Sequence, residues 1–156
     1  MARIVGYIAS SLDGFIADKD EGLAWLMERK DVELGQFDYN LFIKRIRTVV
    51  MGRTTYDWMA RQNMEWPYKD QRSIVVTSRK IDTTYGNVEL RSDVDALVAE
   101  LRGLDDGDVW MLGGGKLQMA FIERGALDEL EVYVMSTLLG GVYPLFPSTG
   151  FFKDSI

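Results

Sequence analysis

The sequence predicts an α/β fold, in which a mostly parallel sheet is covered by helices on both faces. Three observations carry this. Short apolar runs rich in β-branched residues recur along the chain, at Ile4–Ala9, Thr48–Met51 and Ser73–Thr77. Segments with apolar residues at helical spacing alternate with them. Small or hydroxyl residues stand where each run stops, as at Gly52, Ser78 and Gly113. Strands that alternate with helices are joined by crossovers, and crossovers make neighbouring strands parallel and bury both faces.

The elements follow in order. Ile4–Ala9 reads as a buried strand that enters a turn at Ser10-Ser11-Leu12-Asp13-Gly14. Residues 18–35 are charged and interrupted by glycine, with Trp25, Leu26 and Met27 as an apolar island, and read as a mobile surface segment with a short helix. Phe37, Leu41, Phe42 and Ile46 fall on one helical stripe, which predicts a helix over 36–46. Thr48–Met51 is the second strand, stopped by Gly52, and a helix from Arg53 to about Arg61 follows it. Ser73–Thr77 is the third strand and Val88–Leu90 a short fourth. Val94, Leu97, Val98 and Leu101 define the cleanest amphipathic helix, capped by Ser92 or Asp93. Asp108–Leu112 is the fifth strand, residues 115–124 a helix with Leu117, Phe121 and Ile122 inward, and Leu130–Met135 the sixth strand. With 156 residues and neither repeat nor linker, residues 1–156 read as a single domain.

Composition excludes several chemistries. There is no cysteine and no histidine, so disulfides, a thiol nucleophile, thiolate or imidazole metal sites and histidine-based acid–base catalysis are absent. Proton chemistry must use a carboxylate, Tyr, Lys or water, and no metal site is expected. A net charge of −6 without a run of Lys and Arg argues against nucleic acid as a partner. No apolar stretch is long enough for a membrane span and the N-terminus lacks a signal-peptide pattern, so a cytoplasmic location is expected.

Four segments carry candidate chemistry. Leu112-Gly113-Gly114-Gly115-Lys116-Leu117 joins a strand to a helix through bare backbone. Free N–H groups and the helix dipole favour phosphate there, and Lys116 adds a positive charge. A tight turn alone would also explain the glycines. The spacing is neither a Rossmann fingerprint, which wants glycine at position 118, nor a P-loop. Met51-Gly52-Arg53-Thr54-Thr55-Tyr56 repeats the logic with a guanidinium and two hydroxyls, and reads equally as helix capping. Thr77-Ser78-Arg79 lies at a strand's carboxyl end, where ligands of open α/β sheets collect. It can take a 2′-phosphate or be a solvated turn. Asp13, just past the first strand, can meet a substrate or form an Asx turn with Gly14. Asp38 starts a helix, and its default role is a cap.

These motifs, in this order, resemble the dihydrofolate-reductase-like family. The segments are Ser11-Leu12-Asp13-Gly14-Phe15-Ile16-Ala17, Val50–Tyr56, Val76-Thr77-Ser78-Arg79 and Leu112–Gly115. Ala126-Leu127-Asp128-Glu129-Leu130 and Gly140-Gly141-Val142-Tyr143-Pro144-Leu145-Phe146-Pro147 are similar to one branch, the reductase domain of the riboflavin-pathway bifunctional deaminase–reductase and its stand-alone relatives. The resemblance implies a three-layer α/β/α fold whose mostly parallel sheet of about eight strands has an antiparallel C-terminal edge. The chain leaves little room for the family's closing hairpin, so that edge is expected to be reduced or truncated.

The resemblance also implies NADPH across the strand ends. Gly52, Arg53, Thr54 and Thr55 would meet the pyrophosphate and 2′-phosphate side, and Thr77, Ser78 and Arg79 the adenosine end. Gly113, Gly114, Gly115, Lys116 and Leu117 would line the pyrophosphate and nicotinamide ribose, and Ala9 and Ile16 would flank the nicotinamide. Asp13 is the expected substrate-side carboxylate, able to donate a proton only if burial raises its pKa. Asp38 is the candidate if the substrate is a pterin. The expected function is an NADPH-dependent pyrimidine reductase of riboflavin biosynthesis. The alternatives are a dihydrofolate reductase and a non-catalytic nucleotide-binding dimer. A homodimer is expected because relatives often pair.

Overall fold

A computed structural model describes residues 1–17, 20, 22 and 38–152. The expected segment over 18–35 therefore lies almost wholly outside the described residues. Eight strands and four helices are described. They are β1 (Ile4–Ser11), β2 (Phe15–Ala17), α1 (Tyr39–Lys44), β3 (Ile46–Gly52), α2 (Arg53–Arg61), β4 (Arg72–Val76), β5 (Glu89–Arg91), α3 (Val94–Arg102), β6 (Asp108–Gly113), α4 (Gly115–Glu123), β7 (Glu129–Met135) and β8 (Tyr143–Pro144). Six strands form a parallel sheet in the order β5-β4-β3-β6-β1-β7, while β2 and β8 pair antiparallel in a ladder of their own. The expected antiparallel edge is thus a separate two-stranded piece.

Alternation along the strands builds two cores. Val5, Val49, Met51, Val75 and Trp110 face α1 and α2, where Phe42, Tyr56 and Met59 meet them. Ile4, Val50, Ile74, Val109 and Met111 face the other way, onto Leu97 and Leu101 of α3 and Leu117 and Phe121 of α4. Adjacent residues of one strand thus serve opposite layers, which is why these strands read as continuous apolar runs. Among the described residues Met51, Met59, Met111 and Met119 are buried, as gap-filling would have them. No helix among the described residues is long and apolar enough to cross a membrane.

Boundaries differ from expectation in places. The helix predicted over 36–46 ends at Lys44; Arg45 caps it and Ile46 is a fully buried strand residue. The stripe misled because Ile46 keeps the helical spacing while its burial belongs to β3, and Leu41, on the same stripe, is 51% exposed. β1 runs on to Ser11, β5 is shifted to Glu89–Arg91, β7 begins at Glu129, and the cap of α3 is Asp93, which accepts from Ala96 N–H at 3.0 Å.

Topology sets where a ligand can enter. From β3 the chain runs through α2 to β4; from β6 it runs through α4, past β1, to β7. β3 and β6 are neighbours, yet the connections from their carboxyl ends depart in opposite directions and over opposite faces. This is a switch point, and it leaves a crevice at the carboxyl ends of β3 and β6.

Candidate functional site

The two glycine segments meet at that crevice. Met51 is in register with Gly113. A Cβ on Gly52 would stand 3.8 Å from Gly113 O and Gly114 N, and one on Gly114 3.7 Å from Thr55 Oγ1. Gly52 and Gly114 are the N-caps of α2 and α4, and neither provides a side-chain cap. Two helix starts with bare backbone therefore converge on one spot, and uncapped N–H groups with aligned dipoles favour an anion there.

The triplet is not uniform. Gly113 has φ +128, with nothing within 4 Å of its Cβ position, and the Gly113–Gly114 peptide is cis. Gly115 is buried, and a Cβ there would come within 2.7 Å of Pro144 O and 3.0 Å of Pro147 Cδ. Its smallness makes room for the 144–147 segment rather than for a ligand. Leu117 is buried among Phe121 and the second core, so only its backbone is available to a ligand. Lys116 is exposed and has no ion-pair partner among the described residues. Arg53, in the first turn of α2, stands 3.6 Å from Asp57.

The third segment lies on the same edge. Gly52 is in register with Val76, so Thr77-Ser78-Arg79 begins level with the start of α2. Thr77 N–H donates to Arg91 O at 2.8 Å, and its hydroxyl accepts from Arg79 N–H at 3.1 Å. This turn holds Ser78 and Arg79 in solvent, with no carboxylate partner for Arg79 among the described residues. Tyr56 Oη donates to Tyr85 O at 2.7 Å and ties α2 to the loop that follows.

Asp13 lies just past the end of β1, and Asp38 precedes α1. The Asp13 carboxylate accepts from the Ser11 hydroxyl at 2.5 Å, Leu139 N–H at 3.0 Å and Gly140 N–H at 2.7 Å. These bonds, the Ser11 hydroxyl foremost, hold its pKa down at about 2. The raised pKa that proton donation requires is therefore missing, because Asp13 is exposed and hydrogen-bonded in its charged form. Asp38 caps α1, accepting from Asn40 N–H at 2.8 Å. Ala9 is half-buried on β1 and Ile16 half-buried on β2. Phe42 is core, Trp58 packs against it, and Trp25 lies outside the described residues.

Two features had no forecast. The 137–147 segment spans the site. Leu12 N–H donates to Thr137 O, Leu145 N–H to Gly14 O, and Gln118 Nε2, buried in α4, to Leu145 O. The stretch Gly140–Pro147 signalled the family without revealing this bracing. The second is a cluster of Tyr7, Glu131 and Tyr133 on β1 and β7, hidden because alternate strand residues read only as packing. Two concavities lie elsewhere: one of about 470 Å³ lined by Trp66, Arg72, Ser73 and Glu89, and one of about 230 Å³ lined by Tyr56, Asp57 and Tyr85. Neither is lined by Gly52, Gly113, Gly114 or Gly115. The crevice is favoured over them because topology, bare backbone and cations coincide there.

Comparison with known proteins agrees with this geometry. The model of the RibD C-terminal domain family matches residues 3–154. The chain is 32% identical to the Bacillus subtilis protein YwjB over 92% of its own length and 82% of that protein, and 29% identical to the dihydrofolate reductase HdrB of Haloferax volcanii over 80% and 63%. A solved Shewanella sp. PV-4 protein, provisionally named for riboflavin biosynthesis, superposes with a TM-score of 0.79 at 30% identity, covering 95% of this chain and 84% of that one. Dihydrofolate reductase from Enterococcus faecalis, complexed with NADP(H), shares the fold with a TM-score of 0.67 at 21% identity, covering 94% and 77%. With its crevice, its sheet order and a family match along nearly its whole length, the chain belongs to the RibD C-terminal domain family, a family of reductases within the dihydrofolate-reductase-like fold.

Proposed function

We propose that this protein is an NADPH-dependent reductase that passes hydride to a C=N or C=O carbon of a small, flat, pyrimidine- or pterin-like substrate, as the pyrimidine reductase of the riboflavin pathway does. The observation that carries the reading is the pairing of Gly52 with Gly113-Gly114 at the switch point, where α2 and α4 both begin without a side-chain cap. The family match and the fold shared with a reductase holding NADP(H) support it.

The residues present fit the cofactor. Crevice floor and helix starts are bare backbone, as a pyrophosphate requires, with Arg53, Thr54, Thr55 and Lys116 around them. Ser78 and Arg79 stand solvent-facing on the same edge, where a planar guanidinium suits a 2′-phosphate and favours NADPH over NADH. Ala9 and Ile16 line the nicotinamide end. Bound there, the cofactor supplies hydride; the chain supplies placement and electrostatics. Asp13 acts as a clamp on the turn above β1, through the three bonds it accepts. The homodimer is part of the proposal, with β7, the last strand of the sheet among the described residues, and its exposed Val134 as the surface that needs cover.

The test is thermal. NADPH at roughly 100 times its Kd stabilises the native state by about 2.7 kcal/mol, which is about 5–10 °C for a chain of this size. NADH gives a smaller rise at equal concentration, and Arg79→Ala removes most of that difference. An unmoved midpoint at millimolar NADPH refutes the cofactor. Similarity to HdrB favours dihydrofolate as the second substrate reading; NADPH consumption with dihydrofolate, but with no pyrimidine, would select it. Binding without consumption on either would select the non-catalytic reading.

A further inference from the structure

We propose that the concavity at the amino ends of β4 and β5 is a second binding site, built for a small organic anion that carries a carboxylate or a phosphate group. It lies at the opposite end of the parallel sheet from the crevice. Arg72 opens β4 and Glu89 opens β5, whereas the crevice stands where β3 and β6 end. Trp66, Lys69 and Gln71 line it from the connection between α2 and β4, and Asn87 from the connection that leads into β5. Arg72, Ser73 and Glu89 join them from the strands. The space of about 470 Å³ between them is in the range of small-molecule sites. None of these residues belongs to the crevice, so the site stands or falls apart from the reductase reading.

Two polar atoms of this lining are left without a partner. Trp66 is 8% exposed and Ser73 5%, yet neither Trp66 Nε1 nor Ser73 Oγ has a hydrogen bond. Folding strips water from such groups and ordinarily returns a bond in exchange. The protein cannot supply one by turning the indole. Gly86 lies against its ring, where a Cβ would come within 2.4 Å, and the Tyr85 ring meets it edge-on at 5.0 Å. Both atoms are almost sealed from solvent. A ligand group therefore reaches them as the Ser73 hydroxyl turns about its Cα–Cβ bond and the α2–β4 connection yields beside it.

The chemistry of the lining selects an anion. Trp66 Nε1, Lys69 and Arg72 can only donate. Arg72 uses Nε and Nη2 on Glu89 and Glu100, and its Nη1 makes no bond among the described residues. Lys69 meets Glu65 at 3.1 Å, one turn away, in a pair whose carboxylate is 88% exposed. Such a pair is weak and yields to a better partner. Glu89, the one carboxylate of the lining, is already held by Arg72 and Arg91. Two cations thus stand beside one occupied carboxylate, in a chain whose net charge is −6. A local field of the opposite sign to the whole draws in a negative ligand, and the unpaired donors give it bonds to make.

The experiment titrates the full chain with malonate and with glycerol phosphate, and with malonamide and glycerol as their neutral counterparts. Proton–nitrogen NMR follows the indole N–H of Trp66 among the four tryptophans. At least one anion should move that proton downfield, as a donor gaining a bond does, with a Kd of about 1 mM or tighter. The neutral molecules should leave it in place. The anion with the lower Kd names the group the site takes. Lys69→Gln and Ser73→Ala should each weaken that anion roughly threefold to tenfold, the scale of one hydrogen bond. Thermal midpoints establish that both variants fold; Lys69 is exposed, and Ser73→Ala removes a buried hydroxyl with no bond to lose. A Trp66 indole that no anion moves, an equal response to the neutral molecules, or full affinity in both variants overturns the site. So do anion shifts confined to the Gly113 and Gly114 amides, which would place the anion in the crevice alone.

Discussion

Asp13 illustrates how a single side chain can be visible in a sequence while its task is not. The Ser11-Leu12-Asp13-Gly14 turn marked the position, and both the Asx turn and the substrate carboxylate were open. What the carboxylate meets in the fold depended on Leu139 and Gly140, some 126 residues away in the chain, whose N–H groups close on it. The sign of its pH dependence follows. The folded pKa, about 2, is depressed below the ordinary 3.8. What Asp13 contributes is therefore present above 3.8 and lost as pH falls through about 2. Asp13→Asn should lower the thermal midpoint at pH 6, and the gap from wild type should close on approach to pH 2. Amide exchange at Leu139 and Gly140 should speed up in the same variant. A gap that keeps its size at low pH would mean that the charge of Asp13 does not hold the 137–147 segment.

The elements were the most legible part, because each long strand or helix carries its own periodicity. α2, α3 and β6 lie within a residue or so of expectation, since burial on one face repeats at a spacing that sequence displays. β2 and β8 were foreseen only through the family, as an antiparallel edge: strands of three and two residues have no periodicity of their own, and they pair only because the chain returns from residue 137 onward. α1 shows the limit at an element's end, where its stripe ran into a residue that begins β3. Its cap gives a discriminating substitution. Asn caps a helix about as well as Asp, whereas Ala costs about 1 kcal/mol. Asp38→Asn should keep both stability and reductase rate, and Asp38→Ala should lose only stability. Loss of rate in a fully folded Asp38→Asn protein would instead make Asp38 the substrate carboxylate and would favour the pterin reading.

Across the whole molecule, the crevice is a product of connectivity, and this is why the three glycines, equivalent in sequence, divide their work. Sequence shows that backbone is bare; it does not show what lies against it. Gly114 faces the crevice, with φ −77 and ordinary clearance to Thr55, so a methyl group there is tolerated by the fold but sits on the floor where a pyrophosphate would rest. Gly115 faces inward, and a methyl group would meet the Pro144 carbonyl at 2.7 Å, a backbone atom held by the β2–β8 ladder and by the Gln118 bond to Leu145. Gly115→Ala must push the 144–147 segment away, and overpacking of this kind costs about 1–3 kcal/mol, or about 2–12 °C in a chain of this length. Gly114→Ala should leave the ligand-free midpoint near wild type and cut NADPH affinity about tenfold, which removes about 1.4 kcal/mol of the ligand-linked stabilisation. Gly115→Ala should show the opposite pattern, a lower ligand-free midpoint with a larger share of the NADPH-induced rise retained. Differential scanning of both variants with and without NADPH reads the two effects separately. A Gly114→Ala protein that keeps the full NADPH-induced rise would move the pyrophosphate off this crevice, and with it the reason for assigning the cofactor to the ends of β3 and β6.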